Sequence, residues 1–354
     1  MQSDEKWMRL AIAQARRADY TTWQNPRVGA VVVKGDQLLA TGYTHEFGGV
    51  HAERNAIKKL SADQLRGTTL YVTLEPCSHY GKQPPCADLI IDSGIRRVVI
   101  AETDPHALVT GKGIRRLRDS GVAVVTGVLA DQAAVVNPHY NFYFQKHRPW
   151  VTLKQAISRD GKVAAAPGER TTITNQAVYD RVHQERAWFH GIVIGSQTAI
   201  VDNPTLLTTA PTSFPPVRIV LDRRGRLAQY STLPLLQDGA APTWVFTSDP
   251  GLKERLADSN AEVIYQADAD IPAVVAECGR RGLQALYVEG GPTVHRAFLK
   301  SGLVNELLTY QSARRIGEHG VAGAWYPLQN PGHETTVEHL DGNIRISERM
   351  VANV

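Results

Sequence analysis

Strand-like and helix-like segments alternate along this chain, and the alternation runs twice, with one break near residue 146. "VGAVVV" (28–33) and "QLLATGY" (37–43) flank "KGD" and read as a hairpin with a short Gly-containing turn. "HAERNAIKKL" then opens a helix at His51, "TTLYVTL" (68–74) is a buried strand, and "CADLIIDSG" (86–94) is a helix stopped by Gly94. "RRVVIAE" (96–102), "KGIRRLRDSG" and "VAVVTG" continue the pattern as strand, helix and strand. Ahead of them, residues 4–18 set Trp7, Met8, Ala11, Ile12 and Ala15 on one stripe, an amphipathic helix with Ser3 as its expected cap. Strands alternating with helices predict a layered α/β domain in which helices cover a mixed sheet.

The stretch "VVNPHYNFYFQKHRPW" (135–150) is aromatic, then basic, and ends in a proline before a fresh strand, "WVTLKQAIS". A second α/β series follows, with strands at "GIVIGS" (191–196), "VRIVLD" (217–222), "TWVFTS" (243–248) and "ALYVEGG" (285–291), and a Thr/Pro-rich loop over 202–216. At 354 residues the chain exceeds what one hydrophobic core usually serves, so two domains are expected, 1–146 and 147–354.

No run approaches the roughly 18 apolar residues of a membrane span, and "MQSDEKW" lacks the layout of a secretion signal, so a cytoplasmic protein is expected. A net charge of +4 without a dense Lys/Arg block suits a phosphorylated small molecule and argues against nucleic acid. Arg115-Arg116 and Arg280-Arg281 read as solvated helix faces, and Cys278 as a helix residue. No membrane partner is expected, and the expected assembly is a homo-oligomer. Three cysteines form no disulfide framework, so the two that cluster point to metal or catalysis.

Those two are Cys77 and Cys86 in "EPCSHYGKQPPC" (75–86), downstream of His51-Ala52-Glu53. One imidazole and two thiolates leave a zinc ion an open fourth position, and such an ion brings the pKa of water toward 7. Glu53, two residues past His51, is free to shuttle a proton. His-x-Glu followed by Pro-Cys and a second Cys is the pattern of zinc nucleobase deaminases, although eight residues here replace the usual two between the cysteines. The alternative is a closed structural zinc site or unmetallated buried cysteines. His79, inside the loop, is open to three readings: a fourth ligand, a substrate contact or a solvated histidine.

In the second half, "EGGPT" (289–293) passes from strand to helix, so Gly290 and Gly291 expose backbone amides that can hold a phosphate; the alternative is a tight turn with no ligand. "GSQT" (195–198) is a second small-residue turn after a strand.

"HAE" with "EPCSHYGKQPPC", "NPRVGAVVV" and "TDPHALVTGKGI" resembles the deaminase half of the bifunctional riboflavin-biosynthesis deaminase-reductase family. "PWVTLKQAISRDGKV", "GIVIGSQTAIVDNPTL" and "YVEGGPTVHRAFLKSGLVNELL" resemble its reductase half, so the likeness runs nearly the whole chain. The resemblance implies an α/β protein: an N-terminal cytidine-deaminase-like α/β/α layered domain and a C-terminal dihydrofolate-reductase-like α/β domain. It implies Zn2+ and NADPH as cofactors and a phosphorylated pyrimidine as substrate. By resemblance His51, Cys77 and Cys86 hold the metal and Glu53 is catalytic; Thr198 and Asp202 match cofactor positions, and Arg186 and Glu289 substrate positions. Asn25 is a candidate substrate contact, or only an Asn-Pro turn. Lys154 and Asp160 are candidates for placing substrate or moving a proton, or charges at a strand end.

The chain departs from the family pattern at several positions. Thr44 stands where many members have His, with His45 alongside; Thr172 stands for Trp, Thr209 for Arg and Arg223 for Ser. Losing the Arg removes a bidentate phosphate grip, which Arg170 or Arg223 is placed to replace. Three rival functions stand beside this one: a nucleoside or tRNA deaminase, a deaminase whose second domain only binds ligand or assembles the oligomer, and a non-catalytic zinc-binding module.

Overall fold

The computed structural model describes residues 2–328 and 334–350. Its chain divides into two compact units, Met1–Lys146 and His147–Val354.

The first unit contains, in order, α1 (Gln2–Ala15), β1 (Gly29–Lys34), β2 (Gln37–Tyr43), α2 (Ala52–Ile57), α3 (Ala62–Leu65), β3 (Thr69–Leu74), α4 (Cys86–Asp92), β4 (Arg97–Glu102), α5 (Lys112–Asp119), β5 (Ala123–Thr126), α6 (Ala130–Ala134) and α7 (Pro138–Lys146). The sheet order is β2-β1-β3-β4-β5, antiparallel on either side of β1 and parallel from β3 onward. Alternate strand residues face opposite layers. Val31, Val33, Tyr71 and Val99 pack under Trp7, Met8, Ala11, Ile12 and Ala15 of α1. Ala30, Val32, Leu70, Val72, Val98 and Ile100 pack under α2, α4 and α5. This is the expected α/β/α layering.

The opening helix differs from the expectation at its start. It begins at Gln2, so Ser3 lies inside it and is not the cap. Asp4 anchors that end instead, accepting from Arg97 at 2.8 and 2.9 Å and from the Tyr71 hydroxyl at 2.8 Å.

The second unit contains β6 (Trp150–Ile157), β7 (Lys162–Ala164), α8 (Gln176–Arg186), β8 (Gly191–Gly195), α9 (Ser196–Asp202), β9 (Val217–Leu221), α10 (Pro234–Gln237), β10 (Thr243–Thr247), α11 (Leu252–Arg255), β11 (Ala261–Tyr265), α12 (Ile271–Arg280), β12 (Ala285–Val288), α13 (Pro292–Ser301), β13 (Glu306–Ser312), β14 (Val321–Ala322), β15 (Glu334–Leu340) and β16 (Asn343–Arg349). Its main sheet runs β11-β10-β9-β8-β12-β6-β13-β16-β15. The strands from β11 to β13 are parallel, and β16 and β15 close the far side antiparallel. Runs such as Ile192-Val193-Ile194 and Leu286-Tyr287-Val288 are wholly buried, as strands covered on both faces must be. Cys278 is buried in α12. Among the described residues no helix is long and apolar enough to cross a membrane.

One close approach in the first unit bears on function. At Gly42 of β2 a Cβ would overlap the Ala52 carbonyl and lie 2.6 Å from the Ala56 amide, so α2 lies directly on the strand. Gly42→Ala is expected to cost about 1–3 kcal/mol through overpacking and to weaken zinc binding by displacing the helix that follows His51. Urea unfolding and competitive zinc titration of the variant check this; wild-type values for both would contradict it.

Candidate functional site

His51 is the extended residue that precedes α2, with φ −71° and ψ 159°, and its side chain makes no capping bond. The ring is therefore free to face the end of β3. There the chain passes through Glu75, Pro76 and Cys77, makes an eight-residue excursion, and returns at Cys86, the first residue of α4. The base of the excursion is closed by the Ala87 amide donating to the Cys77 carbonyl at 3.1 Å and the Cys86 amide to Cys77 Sγ at 3.4 Å. Its far side is tied to neighbouring elements by Gln83 donating to the Gly48 carbonyl, Arg54 to the Pro84 carbonyl, and Lys82 seated 4.0 Å over the Phe47 ring.

The two sulfurs approach the same ring nitrogen: His51 Nδ1 is 3.7 Å from Cys77 Sγ and 3.5 Å from Cys86 Sγ, and all three ligand atoms lie within 4.8 Å of one another. A tetrahedral zinc ion with ordinary Zn–N and Zn–S bonds keeps such atoms about 3.6 Å apart. The donor set therefore fits zinc in chemistry and spacing. Among the described residues no fourth His, Cys, Asp or Glu joins the group, and His79 is exposed on the loop.

Electrostatics at the cluster favour one thiolate. A hydrogen bond from Cys86, and then one from His51, pull the Cys77 thiol down to about 4 against the effect of burial. The Cys86 thiol is pushed up by its bond to Cys77 and by burial. Glu53 is buried in the first turn of α2, and burial, followed by the charge at Cys77, lifts its carboxyl to about 6.

Glu75 is a structural part of this site that sequence reasoning missed. Its buried carboxylate accepts from the amides of Gly111 (2.9 Å), Ile114 (3.1 Å) and Asp104 (3.3 Å), which fixes the start of α5 against the turn that carries Cys77. A Cβ at Gly113 would overlap the Pro76 carbonyl, so this contact too is close. The signal was a charged residue ending an apolar strand, "LYVTLEPC". Beside it Asp104, raised to about 6 by burial, accepts from Tyr140 at 3.0 Å and from the His106 amide at 2.8 Å.

The remaining candidates near the first site are placed as follows. Asn25 is half-buried, its amide donating to the Thr22 carbonyl at 2.8 Å. Thr44 is buried, and its hydroxyl accepts from the Val28 amide at 3.0 Å, so it closes the strand end. The His45 ring lies 5.1 Å from that of Tyr43.

In the second unit, Glu289 follows β12, and the structure brings it together with Arg186 and Lys154. Arg186 donates to both carboxylate oxygens at 2.7 and 3.1 Å, and Lys154 Nζ lies 3.7 Å away. Burial pushes the Glu289 carboxyl up, but Arg186 and then Lys154 outweigh it and hold it down to about 2. Arg186 also donates to the Leu207 carbonyl at 2.8 Å and meets His183 Nε2 at 3.2 Å, while His183 Nδ1 faces the Tyr179 carbonyl at 2.8 Å.

Gly290 and Gly291 lead into α13, whose first residue is a proline with no N–H of its own. A Cβ at Gly290 would lie 2.8 Å from Val294, one at Gly195 equally close to the same side chain, and one at Gly291 3.7 Å from Thr198 Oγ1. Two bare turns thus face each other beside a helix N-terminus, an arrangement that fits a dinucleotide phosphate. Asp202 ends α9, half-buried, its carboxyl raised by burial and lowered by Arg170. Asp160 is drawn well below the carboxylate range by the Ser158 hydroxyl and the amides of Gly317 and Ile316, and so holds a turn together. The Thr172 carbonyl accepts from Arg314, and Thr209 and Arg223 are exposed.

Residues 1–102 match the family model described as the cytidine and deoxycytidylate deaminase zinc-binding region, and residues 149–328 match the RibD C-terminal domain. The chain is 43% identical over 321 residues to the riboflavin biosynthesis protein RibD of Bacillus amyloliquefaciens, covering 89% of this chain and 85% of that protein. It belongs to the RibD family. The RibD protein of Escherichia coli K12 is 32% identical over 329 residues, 89% of each chain. The solved structure of Acinetobacter baumannii RibD matches with a TM-score of 0.87 at 32% identity, covering 98% of this chain and 99% of that one. A Thermotoga maritima diaminohydroxyphosphoribosylaminopyrimidine deaminase/5-amino-6-(5-phosphoribosylamino)uracil reductase matches with a TM-score of 0.83 at 32% identity and the same coverage. As a RibD protein this chain is a bifunctional enzyme of riboflavin biosynthesis, a zinc deaminase joined to an NADPH-dependent reductase, acting on a small molecule.

The buried Arg186–Glu289 pair carries a stability prediction. A carboxyl that titrates near 4.5 when unfolded and near 2 when folded stabilises the fold above 4.5, and that contribution is lost as pH falls from 4.5 toward 2. Arg186→Met leaves the buried carboxylate short of its main partner and is expected to cost on the order of 3 kcal/mol at neutral pH. The gap from wild type should narrow in acid. Denaturant unfolding at pH 7 and pH 3 checks both, and a gap that is independent of pH would contradict the pairing.

Proposed function

We propose that the unit over residues 1–146 removes the 2-amino group of 2,5-diamino-6-ribosylamino-4(3H)-pyrimidinone 5′-phosphate. The unit over 147–354 then reduces the ribosyl group of the product to ribityl. His51 Nδ1 and the sulfurs of Cys77 and Cys86 would hold zinc, and the spacing of those three atoms carries the reading. Zinc, when bound, makes water nucleophilic at neutral pH as a Lewis acid.

The buried carboxyl of Glu53, close enough to interact with His51, Cys77 and Cys86, takes both protons of water in turn. It passes the first to the ring nitrogen as water adds to the ring carbon, and the second, from the hydroxyl so added, to the departing amine, so that the C–N bond breaks, the carbonyl forms and neutral ammonia leaves. Asn25 and the exposed His79 of the loop are its substrate contacts in this reading.

In the second unit Lys154, Arg186 and Glu289 orient the substrate, and the turns at Gly290, Gly291 and Thr198, with Asp202, would hold NADPH. NADPH, when bound, supplies hydride. The substrate is suited to receive it because a glycosylamine opens to an imine, whose carbon was the anomeric carbon of the sugar. The chain's part is to hold donor and acceptor in line. The reading takes the enzyme as a cytoplasmic homo-oligomer without nucleic-acid or membrane partners, supported by its modest net charge of +4 and phosphorylated substrate.

Glu53→Gln is expected to keep zinc and to lower deamination by about 10²- to 10⁴-fold. The same variant should oxidise NADPH at the wild-type rate when given the deaminated intermediate. Product masses with and without NADPH, together with metal content, check the assignment. Undiminished ammonia release, or activity only on RNA, would overturn it.

A further inference from the structure

The protein itself claims most of the hydrogen-bond donors of Arg186. A guanidinium carries five N–H groups. Nε and Nη2 each give one to Glu289, at 2.7 and 3.1 Å, and Nη1 gives its pair to the Leu207 carbonyl at 2.8 Å and to His183 Nε2 at 3.2 Å. These bonds leave over a single N–H, on Nη2. Because the guanidinium is planar, the acceptors that stand against Nη1 also fix the direction of that last donor and of the grip on the Glu289 carboxylate.

His183 is buried on α8, one turn before Arg186. Its Nδ1 lies 2.8 Å from the Tyr179 carbonyl, and a carbonyl oxygen only accepts, so Nδ1 carries the hydrogen. Arg186 Nη1 only donates, so Nε2 must be bare. The neutral ring with its hydrogen on Nδ1 is thus the one form that satisfies both neighbours; the other tautomer sets N–H against N–H, and imidazolium has no acceptor to give. The ring is held in this setting. Tyr179 packs on it with 3.9 Å between ring centroids, and Thr208, next to Leu207, donates its hydroxyl to the His183 carbonyl at 2.8 Å. The groups whose charge reaches the ring are Arg186 on its own helix, Glu289 beyond β12 and Lys154 of β6. Burial holds the imidazole below its ordinary 6.5; the Tyr179 carbonyl opposes this, and Arg186 adds to the lowering.

We propose that His183 is a positioning residue for the reduction: as a neutral acceptor it sets the Arg186 fork so that Glu289 and the remaining Nη2 donor meet the substrate in one geometry. The inference rests on the reading above that Lys154, Arg186 and Glu289 orient the substrate. Protonation of the ring would remove the acceptor and add a third cation to the cluster, so this setting is lost in acid.

The test is steady-state reduction by the full-length, zinc-loaded protein, with NADPH and the deaminated intermediate, for His183→Leu and His183→Gln. Leucine fills the space without an acceptor, whereas the glutamine amide oxygen can take the Arg186 hydrogen. His183→Leu is expected to lower kcat/KM for the intermediate about tenfold, as the loss of one hydrogen bond to a charged group would, while KM for NADPH moves by less than about twofold. His183→Gln should stay within about threefold of wild type on both. In the wild type kcat/KM for the intermediate should fall as pH drops below 6.5, and glutamine, which does not titrate, should make that limb shallower. No loss in His183→Leu, equal loss in both variants, or an identical acid limb in His183→Gln would overturn the role of the histidine; should the leucine variant not fold, the pH profile of the glutamine variant decides alone. Arg186→Lys separates the underlying reading. It should lower kcat/KM for the intermediate in its own right, and an undiminished value would remove the substrate from this cluster and the histidine proposal with it; a defect there beside an unimpaired His183→Leu would overturn the histidine alone.

Discussion

Glu75 brings a carboxyl group into the interior of the N-terminal unit, and the three backbone amides that meet it come from Asp104, Gly111 and Ile114. A buried polar group without partners would cost several kcal/mol; with them, it becomes a clamp between the end of β3 and the start of α5. Cys77 stands two residues beyond the clamp, so the position of one candidate metal ligand is inherited from the packing of a helix that carries none. The Gly42 approach does the same for His51 through α2. The deaminase centre is thus placed by backbone contacts of the layers on which it sits.

The charged cluster of the second unit is held differently. There the charges are themselves the structure: Glu289 is tolerable in the interior because Arg186 grips it and Lys154 stands near, while Arg186 is in turn held by the Leu207 carbonyl and His183. These side chains neutralise one another in part, and the cluster keeps a positive excess of two cations against one anion.

The cluster of His51, Cys77 and Cys86 could be read from the chain because His-x-Glu and Pro-Cys are short, rare in residue type and local, and the main strands because their apolar runs are unbroken. What lay hidden depended on distant partners. Glu75 reads as a strand-end acid until residues 104–114 fold against it. Asp4, rather than Ser3, anchors α1 because Arg97 and Tyr71, far along the chain, reach its carboxylate. The strand Glu306–Ser312 mixes Glu, Thr and Gln with its apolar residues, and it pairs because β6 and β16 flank it. The hairpin of β15 and β16 has an outer strand that is almost wholly exposed, so burial leaves no periodic mark in its sequence. The departures at Thr44, Thr209 and Arg223 were visible as differences, but only the folded chain shows that Thr44 serves a strand end and that Arg223 stands on a rigid loop.

The excursion between the two cysteines is pinched shut at its neck by the Ala87 and Cys86 amides, both bonded to Cys77. The neck alone sets Cys77 beside Cys86. Because lengthening a closed loop adds little entropic cost, residues 78–85 can change in length while the two sulfurs keep their places.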